Sequence, residues 1–205
     1  MAHGMQKGPI PLKVIKTQRV LIRPVRSTDA SLMHEAMKAS FEDLKQWMPW
    51  AQSLASLRDT EVYLLHGERI WSSPAHEGVE QPLQIMDPTN RHYLGATGIK
   101  PANLSIPSFE IGYWVNKQYA GQGIITEAMN VLTRYLFQVL KAQRVEINCE
   151  EKNLKSAKVA QRLNYELEGR LRNHRFDATG KNVTQSLIYS CIDISTLPPM
   201  PFHWE

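Results

Sequence analysis

A mixed α/β (α+β) domain is what this sequence predicts, and three observations predict it. Apolar residues switch between two-residue and helical spacing, giving the order β-α-α-β-β-β-α-β-α-β-β. The three middle strand-like runs are joined by short, turn-rich links, which favour an antiparallel meander. The last of them passes through a glycine loop straight into a long helix-like run. A meander also argues against a helix-linked, all-parallel dinucleotide fold.

Residues 19–25 read as the first strand, with Val20 and Ile22 on one face and Pro24 marking its end or an edge. Ser27, Thr28 and Asp29 supply capping candidates for a helix to about residue 39, whose apolar side includes Leu32, Met33, Ala36 and Met37. In 41–51, Trp47 and Trp50 flank Met48-Pro49, and Pro49 breaks any helix there. Each ring can pack in the core or form an aromatic wall of a substrate cleft. Residues 56–72 read as a second helix and 73–78 as a loop. Runs 82–86, 92–99 and 108–115 read as strands, with Asp87-Pro88-Thr89-Asn90 as strong turn chemistry between the first two. A helix to about 140, a strand at 144–150 and a helix at 153–163 follow. Asn153 is its N-cap candidate, and Asn164 suits the left-handed position after it. Residues 166–176 and 183–192 form a last hairpin, and the proline-containing tail from 197 reads as an irregular or disordered strap.

The length of 205 residues suggests one domain, taken here as 13–196, with a tail at 197–205. Residues 1–12 read as an N-terminal extension or an expression remnant. There is no run of 18 apolar residues, which predicts no membrane span, and no apolar signal segment. Cys149 and Cys191 lie in strand-like runs with no C-x-x-C, which reads as buried thiols in a reducing cytoplasm. A net charge of +4 would draw in an anionic cofactor but is no signature of nucleic-acid readout.

The loop Gln118-Tyr119-Ala120-Gly121-Gln122-Gly123 stands at a strand-to-helix turn. Glycine there permits positive φ and close backbone approach, and the helix start adds unpaired N–H groups and a positive dipole end. That combination binds phosphate or pyrophosphate. Ile124 and Ile125 follow Gly123 where a P-loop needs Lys and Ser/Thr, and Thr126 stands where a dinucleotide fingerprint needs a third small residue. A glycine-eased turn with no ligand has the same local sequence.

Four segments in order resemble the GNAT acetyltransferases, more narrowly the Rim-type ribosomal-protein N-terminal acetyltransferases. They are Leu44-Lys45-Gln46-Trp47-Met48-Pro49-Trp50, Glu110-Ile111-Gly112-Tyr113-Trp114, the Gln118–Gly123 loop, and the Asn153-Leu154-Lys155-Ser156 helix leading to Glu168-Gly169. The similarity spans about residues 17–192. Asn164-Tyr165 stands where the family usually has Gly-Phe. The resemblance implies a twisted seven-stranded mixed sheet whose central parallel strands splay apart around acetyl-CoA. It implies cofactor contacts at Tyr113, Trp114, Val115, Gln118, Gly121, Gln122, Gly123, Ile124, Asn153 and Ser156, and acceptor contacts at Trp47, Trp50 and Glu110. No metal is implied. The acceptor it suggests is a protein N-terminus, on a ribosomal protein or another, in a cytoplasmic monomer or homodimer. A small amine (polyamine, amino acid or antibiotic) is the other acceptor class, and a non-catalytic acetyl-CoA-binding module is the competing function.

Acetyl transfer to an amine needs a neutral nitrogen, donors for the tetrahedral oxyanion and a proton for the departing thiolate. A peptide α-amine titrates at about 7.7–8.0 against about 10.4 for lysine, so it needs only a weak base. Strand alternation puts Glu110, Gly112 and Trp114 on one face, where a carboxylate beside aromatics can serve as that base. A surface salt bridge is its plain alternative. By resemblance the Ser156 hydroxyl lies near the CoA sulfur as the acid, and backbone N–H groups around 113–115 hold the oxyanion. Tyr165 and Tyr189 are other proton donors.

Overall fold

The computed structural model describes residues 14–204. The extension read at 1–12 lies outside the described residues. The strands are β1 (Ile15–Lys16), β2 (Leu21–Pro24), β3 (Gln81–Met86), β4 (Tyr93–Asn103), β5 (Ser108–Val115), β6 (Arg144–Glu150), β7 (Glu166–Phe176), β8 (Val183–Cys191) and β9 (His203–Trp204). The helices are α1 (Ala30–Trp47), α2 (Leu57–Trp71), α3 (Ile124–Gln138) and α4 (Leu154–Arg162).

One mixed sheet takes the order β7-β8-β6-β5-β4-β3-β2-β1-β9. Within it β5 and β6 are parallel, and every other neighbouring pair among the described residues is antiparallel. The expected mixed architecture and the meander β3-β4-β5 are both present. Nine strands replace the expected seven, because the two-residue β1 and β9 extend one edge. Both are too short to give an alternation signal of their own.

The sheet is covered on both faces, so it has two cores. Alternate residues such as Ile22, Ile85, Ile99, Phe109, Ile111, Val145 and Ile147 meet the apolar side of α3 and of α4. The opposite alternates, Leu21, Met86 and Trp114 among them, meet Met33, Met37 and Leu44 of α1 and Leu64 of α2. Val20 and Ile22 share a face as read from their spacing.

Several local readings change. The first helix runs eight residues past the expected end at 39, and Pro49 then opens a separate 3-10 turn. Asp29 does not cap it; the carboxylate is buried and pairs with the Arg23 guanidinium at 2.8 Å. The second helix lies where expected, and Ser56 opens it in a full capping box, its side chain accepting from Asp59 N while the Asp59 side chain accepts from Ser56 N. The tail is ordered. Leu197 is buried, Pro198 O accepts from Asn130 and Arg134, and β9 pairs with β1 while Trp204 meets Tyr135 edge-on.

Candidate functional site

The central strands β5 and β6 pair only through Ser108↔Arg144, Phe109↔Val145 and Glu110↔Glu146. Beyond Glu110 they part, so the remaining half of β5 presents an unpaired edge toward the gap. The N–H of Asn116 donates to Leu94 O at 2.9 Å, on the β4 side. Strand alternation therefore turns the N–H groups of Gly112 and Trp114 toward β4, and those of Tyr113 and Val115 into the gap. Two unpaired donors along one edge are the arrangement an oxyanion needs.

The glycine loop closes one end of this gap. Gly121 and Gly123 sit at φ 77° and 78°, the left-handed region that side-chain-bearing residues enter at a cost. Gly123 is itself the α3 N-cap and has no side chain to cap with, so the first-turn N–H groups stay open to a ligand. The loop is braced from within, since Gln122 Nε2 donates to Gln118 O and Gln118 N donates to the Asn116 side chain.

Sequence reasoning missed a brace from outside. Arg19 donates to Gln122 O at 2.9 Å and pairs with Glu127, a carboxylate buried in the first turn of α3. Thr17 also donates to Glu127. A buried carboxylate behind this loop would repel an anion at the helix start, and Arg19 offsets it. Arg19, Gly121, Gln122, Gly123, Thr126 and Arg162 help line an open depression of about 440 Å³, so two arginines share it with the loop. Nothing in the spacing of residues more than 100 apart signals that pairing.

At the other side of the gap, the Asn153 side chain accepts from Ser156 N at 3.1 Å, so Asn153 is the α4 cap and also fixes the turn that carries Ser156. Tyr113 reaches across the gap, donates to Ser156 O at 3.0 Å and shares a 3.1 Å hydrogen bond with its hydroxyl. Burial pushes the Tyr113 hydroxyl above its ordinary range, and the Ser156 hydrogen bond opposes that. Burial likewise raises the Cys149 thiol beside them, again opposed by Ser156. Tyr165 is taken up by a 2.7 Å hydrogen bond with Thr133, and Tyr189 accepts from Gln161 at 3.3 Å. Of these three tyrosines, the one beside Ser156 is thus Tyr113.

Glu110 stands where β5 and β6 part and is half-buried, with Lys100 Nζ 3.7 Å from its carboxylate. The salt-bridge alternative is therefore present at the gap itself. Trp114 lies on the same face of β5, but its ring is buried against Tyr93 at 5.7 Å and its N–H turns toward β4, so both lie off the gap. Neither tryptophan of the Pro49 segment is a core residue. Trp50 is 53% exposed and Trp47 is half-buried. Ile124 packs inward at the start of α3, so it too offers backbone rather than side chain to a ligand. Among the described residues, no group of three His, Cys, Asp or Glu side chains is placed to hold a metal, and no helix is long and apolar enough to cross a membrane.

Comparison with known proteins bears on this geometry. The family model described as "Acetyltransferase (GNAT) domain" matches residues 19–166. A Bacillus subtilis (strain 168) protein provisionally named ribosomal N-acetyltransferase YdaF is 42% identical over 156 residues, which is 76% of this chain and 82% of that protein. The structure of RimL, a ribosomal L7/L12 alpha-N-protein acetyltransferase in complex with coenzyme A, superposes with a TM-score of 0.73 at 20% identity, covering 88% of this chain and 98% of that one. The microcin C7 self-immunity acetyltransferase MccE, in complex with acetyl-CoA and AMP, gives 0.75 at 18% identity over 86% and 94%.

Proposed function

We propose that this chain, which belongs to the GNAT acetyltransferase family and is an acetyl-CoA-dependent N-acetyltransferase, transfers acetyl to the N-terminal α-amine of a protein, a ribosomal protein first among them. The observation that carries the reading is the parting of β5 from β6 after Glu110, with a phosphate-binding loop at one end and a carboxylate at the other. The name carried by the 42% identical relative supports the ribosomal acceptor.

In this reading the pyrophosphate of acetyl-CoA sits on the amides after Gly123, with Arg19 and Arg162 alongside. The pantetheine arm runs between β5 and α4, past Asn153. The thioester carbonyl meets the Tyr113 and Val115 N–H groups. The acceptor enters from the α1–α2 side, past Trp47 and Trp50, and its nitrogen reaches Glu110. Attack is direct, within a ternary complex. The nitrogen–carbon bond forms, the carbon–sulfur bond breaks, and the Ser156 hydroxyl, backed by Tyr113, gives the thiolate its proton. A weak base suffices because the α-amine is already partly neutral at cellular pH.

A thiol-release assay with an acceptor panel tests this. Peptides with a free N-terminus should support CoA release, and the same peptides with a blocked N-terminus and a free lysine should not. Release driven best by a polyamine would move the acceptor to the small-amine class. Release with no acceptor dependence would remove the transferase reading.

A further inference from the structure

The segment between α2 and β3 ends at Glu80, which turns its side chain back onto the sheet. A Cβ built on Gly98 would meet Glu80 Oε1 at 2.2 Å, Cδ at 2.5 Å and Cγ at 2.6 Å. No larger residue fits at 98 with Glu80 in place, so this glycine is the floor of a carboxylate rest. Gly98 pairs with Gly112 on β5, and Lys100 pairs with Glu110 two residues along. All four lie on the face that α1 and α2 cover. A Cβ on Gly112 would touch nothing within 4 Å. Two adjacent glycines thus clear a space two strands wide. One half holds the Glu80 carboxyl, and the other stands open where β5 leaves β6.

The charged and titratable groups around that space come from three elements. Glu110 faces it from β5 and Lys100 from β4, already paired with each other. Tyr63 faces it from α2; burial and then the charge of Glu80 push its hydroxyl up to about 12, although 45% of the residue is exposed. Glu80 makes no hydrogen bond or salt bridge among the described residues. Burial of its carboxyl end and the neighbouring Glu110 raise its pKa above the ordinary glutamate value, and Lys100 only partly opposes them. The residue as a whole is exposed, and its carboxyl end rests over the Gly98 backbone. Glu110 thus has a lysine partner, whereas Glu80 has none among the described residues and holds a proton more readily than an ordinary glutamate. Environments that divide two carboxylates in this way mark a division of labour.

We propose that Glu80 is a catalytic carboxylate of the acceptor site, bracketing the acceptor's ammonium with Glu110 over Gly112 and taking its proton. The proposal rests on the reading of the gap as the place of acetyl transfer. The ammonium gives one proton to Glu80, which passes it to solvent. The neutral nitrogen then attacks the thioester carbonyl carbon. Its second proton offsets the one that Ser156 supplies to the departing thiolate, so one proton is released per acetyl transferred. A site built this way selects acceptors that arrive as cations, and a hydroxyl or thiol acceptor gains nothing from the pair.

The test is the pH dependence of kcat/KM for acetyl-CoA and an acceptor peptide in wild type, Glu80→Gln and Glu110→Gln. Glu80→Gln keeps the side-chain volume on Gly98. It should lower kcat at neutral pH by about 10²-fold, with the deficit narrowing at alkaline pH where the amine is already neutral. Glu110→Gln should shift the acidic limb of the profile to lower pH, because it removes the charge that holds Glu80 up. A folded pKa above the unfolded one means that stability is lost as pH rises through it. Glu80→Gln should therefore hold or raise Tm at neutral pH while it slows turnover, which a purely structural residue would not do. A transferase whose Glu80→Gln variant keeps the wild-type rate and acidic limb overturns this proposal alone. A protein that acetylates no amine overturns the functional reading, and this one with it. Carbon-13 titration of the Glu80 carboxyl gives a second readout, and an ordinary midpoint unmoved by Glu110→Gln also overturns the proposal.

Discussion

Replacing Gly123 by alanine separates what the backbone needs from what the ligand needs. At φ 78° a Cβ is strained wherever it points, and the left-handed region costs a non-glycine residue about 1–2 kcal/mol. The added methyl has room, since the nearest atom is the Arg19 guanidinium at 3.7 Å. The stability loss should therefore be strain alone, which for a domain of this size is a Tm drop of about 2–8 °C. Gly180, at φ 72° in the turn between β7 and β8 with nothing within 4 Å of a built Cβ, is a strain-matched control far from the loop. The two alanine variants should lose similar stability without ligand. With CoA at 100 times its dissociation constant, wild type and Gly180→Ala should each gain about 2.7 kcal/mol. Gly123→Ala should gain much less, because the methyl stands where backbone and phosphate approach. Thermal melts with and without CoA read both quantities. A full CoA shift in Gly123→Ala would refute the placement of the pyrophosphate.

Other expectations follow from the same geometry. Ser156→Ala should cut turnover with little change in CoA affinity, whereas Asn153→Ala removes the α4 cap and should cost about 0.5–2 kcal/mol of stability; steady-state kinetics beside melts separates the two. Tyr113→Phe should reproduce part of the Ser156→Ala loss, since it removes the hydrogen bonds that aim the serine. Arg19→Ala leaves Glu127 buried with Thr17 alone and should cost about 1–3 kcal/mol, at the low end because Arg19 is half exposed; CoA titration should also show weaker binding.

The parts legible in the sequence were those whose signal is local. The β6 bounds, the Asn153 cap and the left-handed Asn164 (φ 58°) come from patterns a few residues long, and the structure has all three. So does the glycine loop before α3. What stayed hidden depends on partners far along the chain. Asp29 looks like a cap until the fold brings Arg23 to it. Arg19 and Glu127 are single charged residues in unrelated segments. Glu80 sits at the end of a loop with no pattern, and only the Gly98 and Gly112 pairing gives it a place. The two-residue strands β1 and β9 exist through their pairing, β1 between β2 and β9 and β9 on β1, and neither stretch signals a strand alone.

The central claim is transfer to an α-amine. A single peptide carrying both a free N-terminus and an internal lysine, incubated with isotopically labelled acetyl-CoA and mapped by tandem mass spectrometry, tests it most directly. The account predicts label on the N-terminal nitrogen and none on the lysine, in amounts equal to the thiol released. Label on the lysine side chain, or thiol release with no label on the peptide, would contradict it.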